Sequence, residues 1–184
     1  MEVTEKLKQE HRVIERVLFA LERAATRLSR GEDVYLRFFI GTSVLINGFA
    51  NSYHDKKEEA VLLPFLLDHG LPKDTGLVAM MLTEHEEAQH LSQRLRQATE
   101  RLQSGDIRAR DNVVLSALGY VSLIRRHIKK EDEVLFPMIE KFITPAQQEK
   151  MRLALENFEH EENGIEVEEK YYGLADRLVL ECVR

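Results

Sequence analysis

The sequence predicts an all-α protein: an up-down-up-down four-helix bundle with additional C-terminal helices. Three observations lead there. Apolar residues recur at alternating spacings of three and four through four long stretches, the period of a helix with one buried face. No stretch alternates with the period of two that marks a strand. One segment occurs twice without a gap, His54-Asp55-Lys56-Lys57-Glu58-Glu59-Ala60-Val61-Leu62-Leu63-Pro64 and His127-Ile128-Lys129-Lys130-Glu131-Asp132-Glu133-Val134-Leu135-Phe136-Pro137, so the chain reads as two related helical hairpins.

Each element has its own signals. Between Thr4 and Arg30, Leu7, His11, Ile14, Leu18, Leu21, Ala25 and Leu28 form one seam, and Gly31 ends the helix. Asp33 is placed to cap a second helix over Val34 to His69, with Ile40, Val44, Asn47, Asn51, His54, Glu58, Val61 and Phe65 inward. Pro64 should bend or interrupt it, and Gly70 with Pro72 closes it. A third helix, Lys73 to Gln103, turns Val78, Met81 or Leu82, His85, Ala88, Ser92, Leu95 and Leu102 inward. After the Ser104-Gly105-Asp106 turn, a fourth runs from Arg108 to Phe142 with Val113, Ala117, Tyr120, Ile124, His127, Glu131, Val134 and Met138 on its seam. Thr144, Pro145 and Gln147 form a capping box that opens a fifth helix to Glu162, and a last one spans Val167 to Leu180. The expectation is a single domain over residues 1–184, with the bundle at about 4–142 and the extension at about 145–181.

Composition removes several function classes. A formal charge of −6, with basic and acidic residues interleaved, argues against nucleic acid as a partner. The single cysteine, Cys182, permits neither a disulfide framework nor a thiolate cluster. The charged N-terminal segment lacks a signal-peptide core, and no apolar run approaches a membrane span, so a cytoplasmic setting is expected.

Four histidines and two glutamates should meet. A His and a Glu four apart lie one above the other on a helix face. At ~1.5 Å per residue, His11 lies ~30 Å before the turn at Gly31 and His54 ~31 Å beyond Asp33, while His85 and His127 each lie ~30 Å from the turn at Gly105 and Asp106. Antiparallel hairpins therefore bring His11, His54, Glu58, His85, His127 and Glu131 to one level of the core, where bundles build metal sites. Two ions, each held by two His and bridged by Glu58 and Glu131, are the simplest distribution, and open positions would remain for an exogenous molecule.

At these residues the chain resembles the hemerythrin-like family of non-haem di-iron proteins: His11 on the first helix, His54 with Glu58 on the second, Glu84-His85 on the third and His127 with Glu131 on the fourth. Lys57-Glu58-Glu59, the Leu-x-Pro run in both halves and Gly70-Leu71-Pro72 match as well. The resemblance implies two iron ions as an oxo- or hydroxo-bridged pair that binds dioxygen, nitric oxide or peroxide. Zinc or manganese also suits these ligand types. Where oxygen carriers of the family have a second His one turn after the third-helix His, this chain has Gln89, so it is closer to the four-His variants found in iron-sensing and stress-related proteins. The resulting functional expectation is binding or sensing of dioxygen, nitric oxide, peroxide or iron. The alternatives are a di-iron enzyme that decomposes peroxide or reduces nitric oxide, and a metal-free helical interaction module.

Neighbouring residues carry plainer expectations. Tyr120 should pack with its hydroxyl on a polar neighbour. Asn47 and Asn51 either orient ligands or form an ordinary buried network. Glu59 reads as an exposed acid, and Lys56, Lys57, Lys129 and Lys130 as solvated faces. His69, at a helix end, His90 and His160, in a run of acids, have no expected metal role.

Overall fold

A computed structural model describes residues 3–183, and every regular element among them is helical. We label the helices α1 (Glu5–Ser29), α2 (36–68), α3 (Gly76–Gln103), α4 (109–142), α5 (Pro145–Glu161) and α6 (Gly164–Val183). α3 packs on α2 and α4, α4 on α1, and α6 against both α1 and α2. The first hairpin turn and the turn after α3 use one device. Gly31 and Gly105 adopt φ of 78° and 98°, and the residue after each returns its N–H to a carbonyl in the last helical turn, Glu32 to Arg27 and Asp106 to Arg101. α3 begins at Gly76 rather than Lys73, and Asp33 does not cap α2, which starts behind Tyr35 without a side-chain cap. The capping box at Thr144 is present in full.

Two helices depart from α geometry where the sequence pattern slips. α2 is π-helical over Ile46–His54 and Glu58–Leu62, and α4 over Glu131–Leu135. A π turn takes up an extra residue, so the buried face jumps by one position. Before the first π segment the buried residues are Phe39 and Ser43 instead of the expected Ile40 and Val44; Val44 is 38% exposed. After the later ones, Leu62 and Leu66 replace Val61 and Phe65, and Leu135 and Ile139 replace Val134 and Met138. The same turns explain why Pro64 and Pro137 do not end their helices. Each proline follows a π turn and opens the next α segment, where its missing N–H is tolerated.

The apolar core falls into two clusters. One gathers residues such as Ile14, Leu18, Leu21, Phe39, Phe49, Leu95 and Val121; the other gathers Leu7, Leu62, Leu66, Met81, Leu135 and Ile139. Along each bundle helix the boundary between them falls at the histidines, and a polar layer lies there. α6 closes the groove of α1 and α2 through an aromatic group of Phe49, Tyr53, Tyr171 and Tyr172.

Candidate metal centre

The six side chains singled out by the repeat are all buried, at 0–3% exposure, and they converge. His11 Nε2 lies 3.0 Å from His54 Nε2, and His85 Nε2 lies 3.2 Å from His127 Nε2. Glu131 stands between the pairs, with Oε2 3.1 Å from His11 and Oε1 3.0 Å from His127. Glu58 does the same from the other side, with Oε1 3.6 Å from His54 and Oε2 3.5 Å from His85. The result is two tetrads, His11, His54, Glu58, Glu131 and Glu58, His85, His127, Glu131, which share their carboxylates one oxygen to each. Ligands roughly 2.1 Å from one ion and near right angles lie about 3 Å apart, which is the spacing of each nitrogen pair.

Behind every ring stands a carboxylate. Nδ1 of His54 meets Glu10 at 2.7 Å and Nδ1 of His127 meets Glu84 at 3.0 Å, so the two residues preceding His11 and His85 serve the opposite helix of their own hairpin. The other two contacts cross between hairpins: Nδ1 of His11 meets Asp132 at 2.8 Å, and Nδ1 of His85 meets Glu59 at 2.7 Å. An ionised carboxylate only accepts, so each Nδ1–H donates outward and each Nε2 faces inward. This orientation of imidazole by an outer carboxylate is what metal-ligating histidines require.

Sequence reasoning missed these four acceptors, although a signal existed: an acid precedes His11 and His85, and an acid follows each repeat glutamate. Glu59 is exposed as expected, and it also holds His85 at Nδ1. Lys57 also corrects the expectation of a solvated face. It is 1% exposed, bonded to Glu10 at 2.5 Å and Glu159 at 3.0 Å, and lies over the Tyr53 ring. The π segments that rotate α2 carry it inward, and the buried charge of Glu10 needs a partner there. Its counterpart Lys130 bonds Glu84 but stays 31% exposed, while Lys56 and Lys129 remain on the surface.

The site's electrostatics follow from six ionisable groups in a dry layer. Burial opposes a charged His11, yet the neighbouring carboxylates of Asp132 and Glu131 outweigh it and lift the ring to about 10. Burial likewise opposes charge on His85 and His127, but Glu58 and Glu59 raise the first to about 11, and Glu131 and Glu84 the second to about 10. Burial and the charge of Glu131 push Glu58 up; Glu131, despite its own burial, is held well below the usual carboxylate range by His127 and His11.

The donor set fits metal ions. Glu58 Oε1 and both oxygens of Glu131 are enclosed without a hydrogen-bond partner among the described residues, a costly state that a cation would relieve. Asn51 donates to Asn47, which also accepts from Ser92, so these residues form a local polar network. Tyr120 is fully buried and its hydroxyl finds no partner among the described residues, contrary to expectation. His69 donates from Nδ1 to the Phe65 carbonyl, its Nε2 lies 2.9 Å from the Gln147 amide nitrogen, and His90 and His160 are exposed.

The family profile of the hemerythrin HHE cation-binding domain matches residues 2–139. The chain belongs to the hemerythrin family. The match covers the bundle with its buried His/Glu cluster and ends before α5, so this hemerythrin domain is a metal-binding one with a C-terminal addition. Among curated proteins the chain is similar to an uncharacterized protein of Mycobacterium bovis and to two of Mycobacterium tuberculosis, strains CDC 1551 and H37Rv. Each is 26% identical over 160 residues, covering 87% of this chain and 62% of theirs. The chain thus spans about three-fifths of the length of these relatives. No solved structure matches it. No described helix is long and apolar enough to cross a membrane.

Proposed function

We propose that this hemerythrin domain holds two iron ions, one in each tetrad, and binds or senses dioxygen, nitric oxide, peroxide or iron itself. The observation that carries the reading is the division of donors: two imidazole nitrogens and two carboxylate oxygens face each position, with Glu58 and Glu131 reaching both. His11, His54, His85 and His127 bind through Nε2, oriented by the acids at Nδ1. Imidazole with carboxylate and no thiolate suits iron, and four protein donors per ion leave positions for a small molecule. Iron held by these residues would supply redox chemistry toward a molecule at those positions. The two apolar clusters keep bulk water from the layer and strengthen every charge interaction inside it.

The test is elemental analysis of protein purified anaerobically from iron-supplemented cells, with the thermal midpoint measured before and after chelation. About two irons per chain and a midpoint that falls on chelation support the reading. A folded chain that takes up no iron, with a midpoint indifferent to chelator, overturns it in favour of a metal-free interaction module.

One observation favours an enzyme on the same site. Asp55, next to His54 in the chain, is buried, and Tyr120 is fully buried with a hydroxyl that has no partner among the described residues. Such groups can hand protons to a molecule being reduced. With excess peroxide, a sensor gives a spectral change that stops, whereas an enzyme keeps turning over and slows in Tyr120→Phe.

A further inference from the structure

We infer that the two metal positions are inequivalent, the His11/His54 position retaining its ion while the His85/His127 position exchanges, and that Glu159 of α5 is the positioning residue that makes them so. This rests on reading the two tetrads as a metal pair.

The repeat alone would make the positions equal. Each has two imidazoles and one oxygen from each shared glutamate, and the ring-orienting acids and lysines correspond: Glu10 with Glu84, Lys57 with Lys130. Beyond the lysines the correspondence stops. Lys57 is bonded a second time, by Glu159 at 3.0 Å, and the other oxygen of Glu159 is held by Lys6 at 2.8 Å, which also pairs with Glu168 of α6 at 2.9 Å. Among the described residues Lys130 has no such acid; its second contact is the Met80 sulfur at 3.5 Å. Among the described residues the C-terminal helices therefore brace the His11/His54 half-site and not the other.

Exposure follows the bracing. The acids behind His54 and His11 are 0% and 17% exposed at the side chain, and the second of these, Asp132, is itself tied to Arg12 at 3.0 Å. Behind His127 and His85 the values are 13% and 40%. For an ion to leave, an imidazole must swing off it and water must enter. A ring tied to a buried, charge-compensated chain of Glu10, Lys57 and Glu159 swings least readily, and a ring tied to a half-exposed Glu59 swings most readily. Outer partners of this kind typically change metal affinity ~10–100-fold.

The experiment follows iron release from the full chain, loaded anaerobically with two Fe(II), into excess chromogenic chelator. Wild type should release one iron per chain in each of two phases at least ~10-fold apart. Glu159→Gln should accelerate the slow phase ~10-fold and leave the fast one in place. Glu84→Gln should accelerate the fast phase alone. If Glu159→Gln compromises folding, Lys6→Met, which loosens Glu159 without touching Lys57, should give the same selective acceleration, smaller in size. A single phase for both irons in wild type overturns the inference. So does equal acceleration of both phases, which is what a general loosening of the fold would produce. A folded wild-type chain that does not load two irons refutes the metal pair itself and is recognised before any release is timed.

Discussion

Lys57→Met separates the buried network from the solvated lysine that the sequence pattern implied. In the fold, the ammonium is 1% exposed and neutralises Glu10, which is fully buried and already bonded to His54. Methionine matches the length and apolar character of the lysine stem, so little packing is lost. The penalty comes from leaving Glu10 charged in a dry site with one of its two partners removed, about 3–5 kcal/mol for a broken buried pair. For a chain of this size, each kcal/mol moves the thermal midpoint by about 2–4 °C, so a fall on the order of 10 °C is expected. Lys56→Met is the surface control, at under about 0.5 kcal/mol. Lys130→Met, whose partner Glu84 keeps some water, should fall between the two. The assay is urea unfolding followed by circular dichroism, with midpoint and slope fitted for each variant. If Lys57→Met is indistinguishable from Lys56→Met at unchanged slope, the lysine points to solvent and the charge chain from Glu159 to His54 does not exist.

Glu58→Ala and Glu131→Ala should each lower metal content from two ions per chain toward one or none by elemental analysis; retention of two sinks the bridging roles. In ion-stripped protein, His11, His85 and His127 are lifted from an ordinary 6.5 to about 10 or 11, so their protonation stabilises the fold fully below pH 6.5, and that contribution is lost as pH rises through 10–11. The stripped midpoint should therefore drop between pH 7 and 10, whereas metal affinity rises with pH because ions displace those protons, and calorimetry in two buffers should record proton release on loading. Parallel pH dependence of stripped and loaded midpoints would refute this. A methyl on Gly48 would stand 1.8 Å from the Tyr171 hydroxyl oxygen, so Gly48→Ala should cost about 1–3 kcal/mol despite its better helix propensity, and combination with Tyr171→Ala should be clearly less than additive in denaturation.

The helices and the convergence of the six polar side chains were legible because both depend on local periodicity and on depth along a helix, which a repeat doubles. Seam positions near the site were not. Each π turn shifts the phase by one residue, and no residue type announces it, although a proline after the bridging glutamate in both copies marks the place. The orienting acids escaped for another reason: Asp132 and Glu59 serve rings of the other hairpin, and spacing along one helix carries no information about such pairs. Lys57 reads as a surface residue because a lysine between two ligands normally points away; only the buried Glu10 and the arrival of Glu159 from α5 make an interior lysine tolerable.

The crossed acids also fix when the centre can form during synthesis. His11 waits for Asp132, 121 residues later, and for Glu131 just before it, whose Oε2 lies 3.1 Å from its Nε2. At about 5–20 residues per second on the ribosome, the first histidine is made on the order of 10 s before its acceptor. The N-terminal hairpin contains both His54 and the Glu10 that meets it but neither Glu131 nor the Asp132 that meets His11. Assembly of the six converging side chains is therefore a late event, complete only once the residues of all four bundle helices have been made.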